Sequence, residues 1–212
     1  EADAMLAGPV GNFATHLRHI TDVIGLRSEM SEASAVHAMV MDGGPLFIGD
    51  TSVSYDPSPV LIAETAIRAS ALMRGFGLEP KVALISHSNF GSRDTAAARK
   101  MREALAILRE TAPALEVDGE MQVDSALEPA IRERMLPGST LHGVANLLIM
   151  PNLDTASAAY NLIKSITGAV TIGPILIGPR LSAHIVNPSI TSRGVVNMSA
   201  VACVAAARHE SL

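Results

Sequence analysis

Short aliphatic runs alternate along the chain with stretches in which apolar residues recur every three or four positions. Met5-Leu6 closes a short strand, and Gly8-Pro9-Val10-Gly11 turns the chain. Phe13, Leu17, Ile20 and Ile24 fall at helical spacing within 12–24, followed by Gly25 as a C′ residue. Residues 35–41 and 45–48 predict two strands joined through Asp42-Gly43-Gly44, a hairpin signal. Asp56-Pro57-Ser58-Pro59 opens a long helix to about Phe76, with proline near the N-terminus where it is tolerated. Residues 81–86 and 145–150 predict buried strands, the second stopped by Pro151, and 170–172 a short strand. Residues 95–111, 127–135, 156–167 and 195–208 predict further helices, while Glu116-Val117 is expected to lead into a loop.

This alternation predicts an α/β fold with a mostly parallel sheet and an antiparallel hairpin at one edge. Ligands of such sheets bind outside the carboxyl ends of strands. That rule directs attention to the segments after Ile85, Ile149, Ile172 and Leu6.

Composition narrows the picture. Of 212 residues 48% are hydrophobic but only 3% aromatic, with no Trp, so the core must be aliphatic. A net charge of -5 gives no polyanion footprint and argues against nucleic acid. No apolar run approaches the ~20 residues of a membrane span and no signal peptide is visible, so a cytoplasmic protein away from membranes is expected. The one cysteine, Cys203, lies in Val201-Ala202-Cys203-Val204 and is expected to be an inert, buried packing residue. The chain opens at Glu1-Ala2-Asp3-Ala4 without an initiator Met, which is read as a fragment of something longer.

Three loops are suited to chemistry. Ser86-His87-Ser88-Asn89-Phe90-Gly91-Ser92-Arg93-Asp94 offers hydroxyls and backbone N–H groups as an anion cradle. Within it His87 is a candidate general base, against the commoner role of a loop histidine bonded to nearby backbone. Asp118, Glu120 and Asp124 fit either a hard-cation site or, more commonly, carboxylates that cap helices and pair with arginines. Asn187 to Gly194 runs into the last helix and presents Ser192-Arg193-Gly194 to an anion. Arg18, with His16 and His19, lies on the first helix and reads by itself as a solvated face. Asp50, Asp56, Glu64 and Asp154 read as turn or helix-start carboxylates. No Walker loop, dinucleotide fingerprint, H-E-x-x-H or G-x-S-x-G motif is present.

Asp118-Gly119-Glu120-Met121-Gln122-Val123-Asp124-Ser125-Ala126-Leu127, Ile172-Gly173-Pro174-Ile175 and Ser192-Arg193-Gly194 stand in the order and spacing of the phosphate acetyltransferase family. Gly143 to Pro151 resembles that family's G-x-A-N strand, and Asp56-Pro57 before Leu61-Ile62-Ala63-Glu64 resembles its helix start. Within the family, Ser86 to Ser92 and Leu17 to Gly25 are most similar to the C-terminal domain of the large bacterial NADP-dependent malic enzymes.

The resemblance implies an isocitrate/isopropylmalate dehydrogenase-like architecture of two subdomains with a cleft between them. Residues 31–184 would form one subdomain, and 1–30 with 185–212 an incomplete second one. CoA would lie near Ser192, Arg193 and Gly194, with Arg18, Asn12, Ser86 and Ser88 as further CoA or anion contacts. Active members carry an aspartate base seven positions after the serine, which here is Ser199. A serine hydroxyl accepts no proton near neutral pH, and the lost general-base help is typically worth ~10²–10⁴-fold. The family's first-turn hydroxyls stand at Asn12 and Phe13, its cysteine at Thr51, and its Gly-Asn-Ile-Gly before Tyr160 is Ala156-Ser157-Ala158-Ala159. Two extra residues enter around Pro188 to Thr191.

These departures imply a non-catalytic domain, and the resemblance to the malic-enzyme domain implies a regulatory module that takes acetyl-CoA as an inhibitory effector, has no metal of its own, and forms a homodimer or higher oligomer. Its partner would be an upstream malic-enzyme domain using NADP and a divalent metal. An active phosphate acetyltransferase with Glu120 or Asp124 as substitute base, and a ligand-free dimerisation scaffold, are the alternatives.

Overall fold

A computed structural model describes residues 2–207. A six-stranded sheet runs in the order β5 (Val117–Met121), β4 (Val82–Ile85), β6 (Leu147–Ile149), β3 (Gly44–Gly49), β2 (Ser34–Met41), β7 (Val170–Ile177). The β5–β4, β4–β6 and β6–β3 ladders are parallel, whereas β2 pairs antiparallel with both β3 and β7. The hairpin is therefore not at the edge as expected, because β7 adds beyond it. A second, two-stranded parallel sheet joins β1 (Ala4–Ala7) to β8 (Ser182–Ile185).

The central strands are the most legible. Val-Ala-Leu-Ile in β4 and Leu-Leu-Ile in β6 are buried throughout, as strands covered on both faces must be. On one face lie α2 (Pro59–Gly75) and α3 (Ala96–Thr111), contributing Ile62, Ala66, Met73, Met101 and Leu108 to a core with Val82, Leu84 and Ile149. Their starts are fixed by side chains: Ser58 accepts from the Leu61 N–H and Thr95 from the Ala98 N–H. On the other face Met39, Ile48, Ile85, Met121 and Leu148 pack with Ala126 of α4 (Val123–Leu127) and Ala156 of α6 (Leu153–Thr167). Around the small sheet, α1 (Phe13–Val23) buries Ile20 and α7 (Ser192–Ala207) buries Met198, Val201 and Ala202.

Several expectations are corrected. The loop predicted after Val117 is strand β5: its Asp118 and Glu120 are buried because arginines and backbone N–H groups satisfy them. The helix predicted over 127–135 is split, with Pro129 starting α5 (Pro129–Met135) afresh. The short strand at 170–172 continues to Ile177. The β2–β7 register slips between Val36 and Ala38, so the proline falls where the ladder is irregular. Strand β8 has no counterpart among the expected elements. Cys203 is exposed, because the inward stripe of α7 is Met198, Val201 and Ala202. The last residue of the predicted final helix, Arg208, lies outside the described residues.

Candidate functional site

A polar cleft of about 320 Å³ opens where the carboxyl end of β3 meets α6, β7 and the segment leading into α7. Thr51 and Ser52 enter it just after Gly49, and Ser157, Tyr160, Asn161 and Lys164 come from successive turns of α6. Asn187, Ser189, Thr191, Gly194 and Met198 close the side formed by α7 and its approach. Thr191 starts that helix by accepting the Gly194 N–H at 3.1 Å through Oγ1.

His37 forms the floor. The register slip leaves Gly173 and Pro174 opposite it on β7, and a bulge of this kind re-aims a side chain. Gly173, at φ +140°, is needed here: a Cβ would stand 2.7 Å from His37 Cδ2. His37 Nδ1 lies 2.6 Å from Thr51 Oγ1, and its ring sits 4.1 Å from the Tyr160 ring centroid. Burial, assisted by the charge of Lys164, pushes the His37 pKa down to about 3. At neutral pH the imidazole is uncharged and a poor proton acceptor. The Lys164 ammonium stands 5.7 Å from the Tyr160 centroid.

Asp50, next to Thr51, does not enter the cleft. It is buried and accepts N–H groups from Ala35, Ser52, Val53 and Ser54, fixing the loop that presents Thr51. Burial raises its pKa against the lowering effect of those four donors.

Of the residues singled out from sequence, the structure brings Thr51, Ser157, Tyr160, Gly173 and the loop from Asn187 to Gly194 to the cleft, with Ser192 and Arg193 exposed in the adjoining first turn. Ser199 is exposed and outside the lining, where Met198 stands instead. Arg18 is exposed on α1, Asn12 caps that helix through the Ala14 N–H, and Phe13 packs toward Ile20. Ser86 accepts the Ser88 N–H, and Ser88 donates to Glu120 at 2.8 Å. Glu120 also accepts from Gly91 N–H and Arg102, while Asp118 holds Ser139, Thr140 and Arg109. Asp124 accepts the Ser125 N–H. His87 stands 3.2 Å from Thr95 Oγ1. None of these lines the cleft.

Sequence reasoning missed His37, Asn161, Lys164 and Thr171, whereas Asn187 belongs to the loop it had singled out. A signal existed for the first, since His37 is the one polar residue in Ala35-Val36-His37-Ala38-Met39, an otherwise apolar run in a strand.

The fold is that of the phosphotransacetylases: a Streptococcus pyogenes phosphotransacetylase superposes with a TM-score of 0.91 at 26% identity, covering 100% of this chain and 64% of that one. Residues 1–203 match the phosphate acetyl/butaryl transferase family, and the chain belongs to it. The NAD-dependent malic enzyme of Rhizobium meliloti is 50% identical over 96% of this chain, and the NADP-dependent malic enzyme of Salmonella typhimurium 45% over 97%. A phosphate acetyltransferase of Nitratidesulfovibrio vulgaris is 33% identical over 100%. The chain spans 26% and 27% of the lengths of those two malic enzymes.

Proposed function

We propose that this chain is an acyl-CoA-binding regulatory domain of a larger malic enzyme that no longer carries out acyl transfer. The observation that carries this reading is the lining of the cleft: hydroxyls, amides and one lysine, with no carboxylate among the described residues. Such a surface favours an anionic ligand but offers no group able to take the proton from a thiol. His37 is a poor substitute, since a base of pKa about 3 holds few protons at neutral pH. Glu120 and Asp124, the substitute bases of an active acetyltransferase, do not reach the cleft.

In this reading acetyl-CoA is an inhibitory effector and acts through unequal affinity for two states of the assembly. The catalytic domain, with its NADP and divalent metal, lies upstream in a cytoplasmic protein. Residues 31–184 and 1–30 with 185–212 form two subdomains of isocitrate/isopropylmalate dehydrogenase-like architecture. Leu162 and Ile166, 61% and 75% exposed on the outer face of α6, support association into a homodimer or higher oligomer.

Calorimetry with acetyl-CoA, paired with an assay for acetyl phosphate formed from acetyl-CoA and phosphate, tests the reading. Binding without turnover is expected. Turnover at the rate of an ordinary acetyltransferase, or no binding at millimolar acetyl-CoA, would refute it.

A further inference from the structure

We infer that Lys164 is the cation that holds a phosphoryl oxyanion in the cleft, and so decides which ligands the cleft accepts. The inference rests on the functional reading above only for the identity of the larger ligand.

Among the described residues lining the cleft, Lys164 is the one charged side chain, and no Asp or Glu stands there to neutralise it. The chain as a whole has net charge -5, so a carboxylate-free cavity with a lysine is a local reversal of sign. Lys164 is exposed in the last turn of α6, and Tyr160 one turn earlier supports it through a ring-face contact 5.7 Å from the centroid. Thr51, whose Oγ1 lies 2.6 Å from His37 Nδ1, offers a neutral hydroxyl and brings no charge to match an oxyanion. Ser157, Thr171 and Thr191 surround the same space with hydroxyl donors for the remaining oxygens of one phosphoryl group, while the Asn161 amide donates back to the Ser157 carbonyl at 2.9 Å. A lysine meets phosphate as a point charge and needs no forked geometry.

The competing role is a plain one. A cation in the last turn of a helix also interacts favourably with the helix dipole. That role affects stability and leaves binding untouched, so the two are separable.

A phosphoryl group could come from free phosphate or from CoA. The test therefore titrates the protein and its Lys164→Gln and Lys164→Arg variants with acetyl-CoA, with acetyl-pantetheine, which lacks the phosphates, and with inorganic phosphate. Circular dichroism checks the fold, and a substitution at an exposed position is expected to leave it intact. Lys164→Gln should weaken acetyl-CoA binding about tenfold, the loss of one charge-assisted contact. Lys164→Arg should retain most of the affinity, and acetyl-pantetheine should not distinguish the variants. If only phosphate binding depends on Lys164, the inference stands with free phosphate as the source. If phosphate binds in that way and acetyl-CoA does not bind at all, the functional reading fails while the inference survives. Equal affinity of all three proteins for both phosphorylated ligands would overturn it, as would a wild-type protein that binds neither.

Discussion

At the scale of single residues, the chain keeps two imidazoles neutral inside the fold. Burial lowers the pKa of His184 to about 4, and Leu176 N–H donates to its Nδ1, so its proton resides on Nε2. His37 lies lower still, at about 3. Both values fall below the unfolded value of about 6.5, so the unfolded chain binds more protons. Their contribution is complete above pH 6.5 and is lost as pH falls toward the folded values. Each accounts for at most about 2 kcal/mol between pH 6.5 and 5, at 1.36 kcal/mol per unit. The raised pKa of Asp50 acts in the opposite direction, lowering stability as pH rises past its unfolded value. The urea midpoint should drop from pH 7.5 to 5, and His37→Gln should flatten that slope. A midpoint indifferent to pH would contradict neutral burial. Gly173→Ala tests the floor of the cleft: with its Cβ 2.7 Å from His37 Cδ2 at φ +140°, it should displace the ring and weaken acetyl-CoA binding. Unchanged calorimetry would show that His37 does not shape the site.

At the scale of elements, buried charge fastens loops to the sheet. Arg132 of α5 is 2% exposed, and its guanidinium donates to the carbonyls of Ser125, Ala126, Leu141 and Gly143. It thereby ties the end of α4 to the approach of β6. Arg132→Met leaves four carbonyls without this donor and should cost about 3 kcal/mol or more. Amide exchange in residues 136–145 should rise with the loss; equal protection would mean that the loop is held by other contacts. Glu120 plays the same part on β5, gathering Ser88, Gly91 and Arg102 onto Oε1. Glu120→Ala leaves the Ser88 hydroxyl and the Gly91 N–H without their acceptor while Arg102 keeps Asp94, and about 1–3 kcal/mol should be lost from the denaturation free energy.

At the scale of the whole molecule, stability should be unequal. The six-stranded sheet is covered by helices on both faces. The β1–β8 pair is a two-stranded parallel sheet, marginal by itself. Val195 and Val196 on α7 are 41% and 67% exposed beside it, and only three residues of that helix are buried. Hydrogen exchange should accordingly be faster in residues 4–7 and 182–185 than in 82–85 and 147–149. Uniform protection would argue that the small sheet unfolds only with the rest.

The sequence by itself determined whatever depends on near neighbours. The aliphatic runs of β4 and β6, the Ser58 and Thr95 caps and the Asp42-Gly43 turn each follow from a few adjacent residues. So did family membership, through ordered motifs. Tertiary structure decided what depends on distant partners. Strand β5 was not legible because the burial of Asp118 and Glu120 is allowed by distant donors: Arg109 and Arg102 from α3, with Ser88, Gly91, Ser139 and Thr140 from neighbouring loops. Strand β8 was hidden for a similar reason: Ser182 and His184 are satisfied by the Ala202 carbonyl and the Leu176 N–H. Cys203 faces outward because which stripe of α7 is covered depends on where the small sheet lies. The cleft belongs to the same class, since one extra residue on β7 turns His37 toward Thr51, and helical phase brings Lys164 over Tyr160. Local patterns carry the free energy of elements, but burial of polar groups is decided by partners that only the folded chain supplies.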